Sequence, residues 1–310
     1  LNVTGAMADE MWTKHDAKRL RLVLRGLIGL DDSADRKWPK LSRVNVGFLG
    51  DSTMRNQVDF LCDIIGNVAQ ISGNFRTCTG RGWGGHVLQL VFFETWGLSQ
   101  KALDKHIPQM LALLEGKGTE KKDKNYFHYF YFGGATLHLM HFGAGKTGIA
   151  YKQRESLALK MEEHISLAVD TLRAGGSIPI FQTLHYVCES AYRGPYLEFV
   201  QTEKPTLAER VDTFCSTLAN PGNTTDDSRR KERCTNLTLD GPGTLKAVNI
   251  ELASIRACKA PPVDVVDAWA LTRGQCWATP VKDGRHYIPL VPAELQQLSR
   301  QIYKHAAFLL

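Results

Sequence analysis

The stretch Arg43-Val44-Asn45-Val46-Gly47-Phe48-Leu49-Gly50-Asp51-Ser52-Thr53-Met54-Arg55-Asn56-Gln57 decides the fold. Val44, Val46 and Phe48 alternate with other residues over Arg43 to Leu49, the period of a strand. The pattern breaks at Gly50-Asp51-Ser52, and from Thr53 to about Ile65 the apolar residues Val58, Leu61, Cys62 and Ile65 recur at helical spacing. A strand running straight into a helix places Ser52 at the carboxyl edge of a sheet. There the first helical N–H groups point outward at whatever the serine meets. This arrangement suits a nucleophilic serine, and its partners are to be sought elsewhere in the chain.

Working outward, His86 to Phe93 and Tyr126 to Phe132 are predicted strands, and Gln100 to Leu114 a helix. A further strand is expected over Thr136 to Phe142, after the Gly133-Gly134 turn. Arg154 to Ala174 is a long amphipathic helix closed by Gly175-Gly176. Ile178 to Thr183 is a buried strand, Leu245 to Arg256 a helix, Val263 to Trp269 a strand and Pro292 to Phe308 a terminal helix. Gly73 to Gly85 is read as a glycine-rich loop, with further helices expected over Ala17 to Ile28 and Thr206 to Leu218. Strands alternating with helices predict an α/β fold, mainly parallel in its sheet. The chain is read as one domain over 1–310, with an N-terminal extension (1–42) and an irregular insertion (185–243).

The composition, 43% apolar and 23% charged with a net charge of +6, is that of a globular chain. The basic residues are dispersed and lack the interleaved aromatics of a nucleic-acid reader, so no nucleic-acid partner is expected. No apolar run reaches about 18 residues, so a membrane would be reached only through an anchor outside this chain. The seven cysteines show no Cys-x-x-Cys and no Cys/His zinc spacing, so no metal is expected. Sequons at Asn2, Asn223 and Asn236 mark glycosylation candidates. With the cysteines they predict an oxidising lumen, up to three disulfides and a free thiol.

A serine hydroxyl needs a base, and the base needs an orienting group. Asp283-Gly284-Arg285-His286 offers both, late in the chain and just before the terminal helix. In an Asp-x-x-His turn the carboxylate can fold back on the imidazole and fix its tautomer. Gly-Asp-Ser with a late Asp-x-x-His resembles the GDSL/SGNH hydrolases, and Ser52-Thr53-Met54-Arg55-Asn56-Gln57 followed by Leu61-Cys62 is similar to their PC-esterase, trichome-birefringence-like branch. Phe181-Gln182-Thr183 with His185, and Val265-Val266-Asp267, add to the likeness.

The resemblance implies a three-layer α/β/α fold and a secretory, Golgi-lumen or extracellular location. The implied activity is glycan O-acetyl transfer through an acyl-Ser52 intermediate, or acetylester hydrolysis as the alternative. Ser52 would be the nucleophile, His286 the base and Asp283 its orienter. Arg55 would stabilise the oxyanion or hold an acidic group, or else form a structural ion pair. A glycan acceptor and an acyl donor would be the partners, with no tightly bound cofactor. The Asn of the family's oxyanion hole is absent from His141-Phe142-Gly143-Ala144-Gly145-Lys146, where a Gly143 or Gly145 N–H would substitute. His185 and Trp83 are candidate substrate contacts, and Trp96 and Trp277 candidate stacking surfaces. Two other classes stay open: a non-catalytic glycan-binding relative, and a phosphate-binding enzyme using Gly145-Lys146-Thr147.

Overall fold

A computed structural model gives the architecture over residues 43–65, 69–81, 87–95, 98–114, 127–133, 148–188, 190–191, 241–280 and 283–308; the side chains of 81, 148–160, 241–242, 303 and 306–308 are not included. The opening stretch forms β1 (Arg43–Gly50) and then α1 (Ser52–Ile64). The described elements continue as β2 (Gln70–Ser72), β3 (Phe75–Arg81), β4 (Val87–Glu94), α2 (Gln100–Ala112), β5 (Tyr129–Gly133), α3 (Gly148–Ala174) and β6 (Ile178–Gln182). They end with α4 (Gly241–Ala257), β7 (Asp264–Val266), α5 (Ala268–Thr272), two single 3₁₀ turns (Cys276–Ala278 and Ile288–Leu290) and α6 (Val291–Phe308).

The sheet has seven strands in the order β2-β3-β4-β1-β5-β6-β7. The five from β4 to β7 are parallel, and β2 and β3 extend one edge antiparallel. The chain leaves β1 to one side for β4 and then crosses to the other side for β5, β6 and β7. The sheet therefore reverses direction at β1, and a doubly wound sheet of this order offers its crevice outside the carboxyl ends of the strands at that reversal. Ser52 lies there.

Helices cover both faces. On one, Met54, Val58 and Leu61 of α1 and Val291, Leu295, Leu298 and Ile302 of α6 pack with Val44, Val46, Phe48, Tyr131 and Ile180. On the other, Leu103 and Met110 of α2, Ile165, Val169 and Leu172 of α3 and Ile255 of α4 pack with Leu49, Phe130, Phe132 and Phe181. Every residue of β5 is buried, as expected of a central parallel strand covered on both sides.

Two sequence expectations are corrected. The glycine-rich Gly73 to Gly85 is no loop at its start: Gly73, at φ +58°, turns β2 into β3, and β3 pairs along β4 from Phe75↔Phe93 to Arg81↔Val87. An antiparallel strand with water on one face can be as polar as Phe75-Arg76-Thr77-Cys78-Thr79, which hid it. Val263 to Trp269 is also not one strand. Asp267 accepts a hydrogen bond from Ala270 N and starts α5, so β7 stops at Val266. The expected elements at Ala17 to Ile28, Thr136 to Phe142 and Thr206 to Leu218 lie outside the described residues, as do the N-terminal extension 1–42 and most of the insertion 185–243.

Cys62 of α1 and Cys78 of β3, both buried, are joined by a disulfide across 16 residues. Closing a loop of that length stabilises by about 3 kcal/mol through the unfolded chain. A Cys62→Ala/Cys78→Ala protein is expected to lose about that much in urea unfolding; an unchanged midpoint would show that the crosslink adds nothing. A second disulfide joins Cys188 to Cys276, and among the described cysteines Cys258 is free. No helix among the described residues is long and apolar enough to cross a membrane.

Candidate functional site

The serine is set by the cap of its helix. Asp51 is fully buried and accepts hydrogen bonds at Oδ1 from Thr53 N (2.9 Å) and Thr53 Oγ1 (2.6 Å), fixing the first turn of α1. The Thr53 N–H is thereby used by the cap, which leaves the helix start fewer donors for a ligand than its sequence suggests. Gly50, just before, admits no side chain: a Cβ there would lie 2.9 Å from the Gly133 carbonyl oxygen. Two neighbouring strand ends thus approach closely beside Ser52.

His286 reaches Ser52 from far along the chain, with its Nε2 2.7 Å from Ser52 Oγ. Its other nitrogen, Nδ1, lies 2.7 Å from Asp283 Oδ2. Asp283 Oδ1 also accepts from the backbone N–H groups of Arg285 and His286, each at 3.1 Å. Gly284, at φ +71°, makes the turn that folds the carboxylate back, a conformation costly for other residues. A carboxylate accepts and does not donate, so Nδ1 carries the proton, and in the neutral imidazole the Nε2 lone pair faces the serine. The Ser52 hydroxyl then donates to it. Burial alone would raise the Asp283 pKa, but the hydrogen bonds and charge of His286 and the backbone hydrogen bonds of the turn outweigh it and hold the carboxyl below its ordinary value.

The turn is braced from behind. Cys188 N donates to the Gly284 carbonyl at 2.7 Å, and Cys188 is covalently tied to Cys276 in the 3₁₀ turn upstream. The segment carrying Cys188, residues 183–188, is itself pinned by Thr183 N to Val266 O, Leu184 N to Glu251 Oε2 and Tyr186 N to Thr272 Oγ1.

Other candidates fall differently. Arg55 Nη1 is 3.2 and 3.1 Å from the two oxygens of Glu94, forming the structural ion pair at the helix start. His185 is no cleft residue, being 3% exposed with Nε2 2.7 Å from Glu294 Oε1. Burial would strip its proton, but Glu294, with the more distant Asp51 and Glu251, more than compensates and keeps its pKa above the ordinary imidazole value. Trp277 is 48% exposed and donates its Nε1–H to Gln275. Trp83, Trp96, Gly143, the Gly145-Lys146-Thr147 segment and the sequons at Asn2, Asn223 and Asn236 lie outside the described residues. Among the described residues no cluster of His, Cys, Asp or Glu could hold a metal ion.

The sequence reading missed the buried polar layer beneath the triad. Gln57 Nε2 donates to Gln182 Oε1 (2.9 Å) and to Glu294 Oε2 (2.6 Å), and all three residues are fully buried. A signal existed for Glu294. It lies on the stripe of α6 formed by Val291, Leu295, Leu298 and Ile302, where a carboxylate is out of place unless partnered.

No family model matches the chain, and no curated protein matches it. Solved structures similar to it include Toc33 from Arabidopsis thaliana in complex with Mg2+ and GMPPNP, at 14% identity over 94% of this chain and 95% of that one, with a TM-score of 0.28. Another is Toc33 from the same organism in complex with GDP and Mg2+, at 13% identity over 91% and 93%, with a TM-score of 0.30. At such scores the likeness brings neither fold nor ligand to this chain.

These findings correct the family reading. No family model and no curated protein places the chain in the PC-esterase branch, and the two solved structures named above are of Toc33. The expected acyltransferase or acetylesterase activity on glycans, its glycan acceptor and its acyl donor took their identity from that resemblance and do not stand.

Proposed function

We propose that Ser52 is the nucleophile of a covalent site, with His286 as its base and Asp283 as the group that orients and balances the base. The observation that carries this is the unbroken relay Ser52 Oγ to His286 Nε2 to Asp283 Oδ2, at 2.7 Å for each link. It joins residues 234 apart in sequence. As Oγ attacks an electrophilic centre, its proton passes to Nε2, and the imidazolium so formed is stabilised by the Asp283 carboxylate. The same imidazolium then protonates the departing group, leaving a covalent Ser52 adduct. Ser52 lies at the switch point of the sheet, the place where open α/β sheets bind their ligands. Two disulfides support an oxidising compartment.

A small fluorophosphonate ester tests the reading without presuming a natural substrate. Its phosphorus accepts the Ser52 oxygen, the P–F bond breaks and fluoride leaves, with the serine proton taken by His286. The wild-type chain is expected to gain one phosphonyl group, and Ser52→Ala none. A Ser52→Ala protein labelled at the wild-type rate would refute the assignment.

A further inference from the structure

Beneath the triad lies a second imidazole–carboxylate pair that the proposed chemistry does not use. His185, from the segment after β6, meets Glu294 of α6 at 2.7 Å, and their side chains are 4% and 1% exposed. The other Glu294 oxygen receives Gln57 Nε2 at 2.6 Å. Gln57 is on α1, the helix that Ser52 begins. On its far side the His185 ring lies parallel to that of Tyr287, the interplanar angle being 10° at a centroid distance of 6.1 Å. Tyr287 directly follows His286.

These contacts close a ring. From Ser52 it passes to His286, to Tyr287, to His185, to Glu294, to Gln57 and back along α1 to Ser52. Glu294 is the one member that holds two other side chains through charge-assisted hydrogen bonds, which are stronger and more directional than neutral ones. A carboxylate carried this deep is costly to bury, and hydrophobic residues of similar volume often serve stability as well or better. Its placement makes sense if what it secures is geometry. A catalytic pair misplaced by about 1 Å can lose on the order of a hundredfold in rate.

We infer that Glu294 is a positioning residue that, through His185 and Gln57, holds the nucleophile helix against the segment carrying the base. The inference rests on the reading of Ser52 as nucleophile. The charges around the pair act in the same sense: Glu294, Asp51 and Glu251 outweigh the effect of burial and raise the His185 pKa above the ordinary imidazole value, which strengthens its hold on the carboxylate.

The test uses the whole chain and the fluorophosphonate ester, with the inactivation rate constant and the probe's half-saturation concentration measured separately. Glu294→Gln keeps the size of the side chain but turns one acceptor into a donor. It is expected to lower the rate constant by about tenfold or more with half-saturation unchanged. Gln57→Met leaves the His185–Glu294 pair in place and removes the hydrogen bonds by which α1 holds Glu294 and Gln182, and the same split is expected from it. It decides the matter if Glu294→Gln does not fold. Both are assayed well below their melting temperatures, so a loss of stability alone moves neither constant. A folded variant that reacts at the wild-type rate overturns the inference. Failure of the wild-type chain to label on Ser52 would instead overturn the nucleophile reading, and the two failures are distinct.

Discussion

His286→Ala should slow phosphonylation of Ser52 by somewhere between about a hundredfold and ten-thousandfold, the range that a positioned general base supplies. The hydroxyl of Ser52 would remain in place on α1, anchored by the Asp51 cap, but with no acceptor at 2.7 Å for its proton. The probe would bind as before, so the loss should fall on the rate constant. Asp283→Asn separates the two parts of the relay. An amide can present its NH₂ to Nδ1 and drive the proton to Nε2, the wrong tautomer for accepting from a serine. A fall of about a hundredfold or more is expected there too.

The pH dependence of stability gives an independent check on Asp283. Its folded pKa is depressed, so its contribution to stability is complete above the pKa of an unfolded aspartate, about 3.9. That contribution is lost as pH falls through the lower folded value. The stability gap between wild type and Asp283→Asn should therefore be constant near neutrality and close on acidification below about pH 4. A gap that widened on acidification would contradict the assigned hydrogen bonds.

The second large effect is expected at Gly133, the last residue of β5. A Cβ built there would lie 2.3 Å from the carbonyl oxygen of Gln182 and 2.9 Å from its Cβ, and Gly133↔Gln182 is a register pair between β5 and β6. The obstacle is backbone in the middle of a sheet covered on both faces, so it cannot rotate away. Gly133→Ala should cost about 3 kcal/mol or more, at the upper end of overpacking effects, or prevent folding. Urea unfolding measures it, and a loss below about 1 kcal/mol would mean that the two strand ends separate more easily than their register implies. Gln182 also accepts from Gln57, so any surviving protein should show slower capture at Ser52 as well.

The parts of this fold that were legible in the sequence are those with a strong period and two buried faces. Arg43 to Leu49, His86 to Phe93 and Ile178 to Thr183 were readable because a covered parallel strand is apolar almost throughout. The edge hairpin β2–β3 was not, since Gln70 to Ser72 is exposed along its length and carries no apolar alternation. The relay was legible because its chemistry is local at each end. A strand-to-helix serine and an Asp-x-x-His turn can each be recognised within a few residues, and only their meeting needed the fold. Gln57 and His185 lacked any such local mark, and the mark on Glu294, a carboxylate on the apolar stripe of α6, named no partner. Each is a common polar residue whose role exists only once α1, α6 and the segment after β6 converge. The same blindness affected Arg55, whose partner Glu94 is brought beside it by the Gly50↔Glu94 pairing of β1 and β4. The family resemblance, by contrast, carried a substrate that neither the residues nor the comparisons supply.

The central claim is that Ser52 is the activated nucleophile, and its most direct test is to locate the adduct. Wild-type protein treated with limiting fluorophosphonate ester is digested and sequenced by tandem mass spectrometry. The phosphonyl group is expected on Ser52, within the peptide containing Gly50-Asp51-Ser52-Thr53-Met54. Modification of another residue in its place, or an unmodified protein after prolonged exposure, would contradict the account.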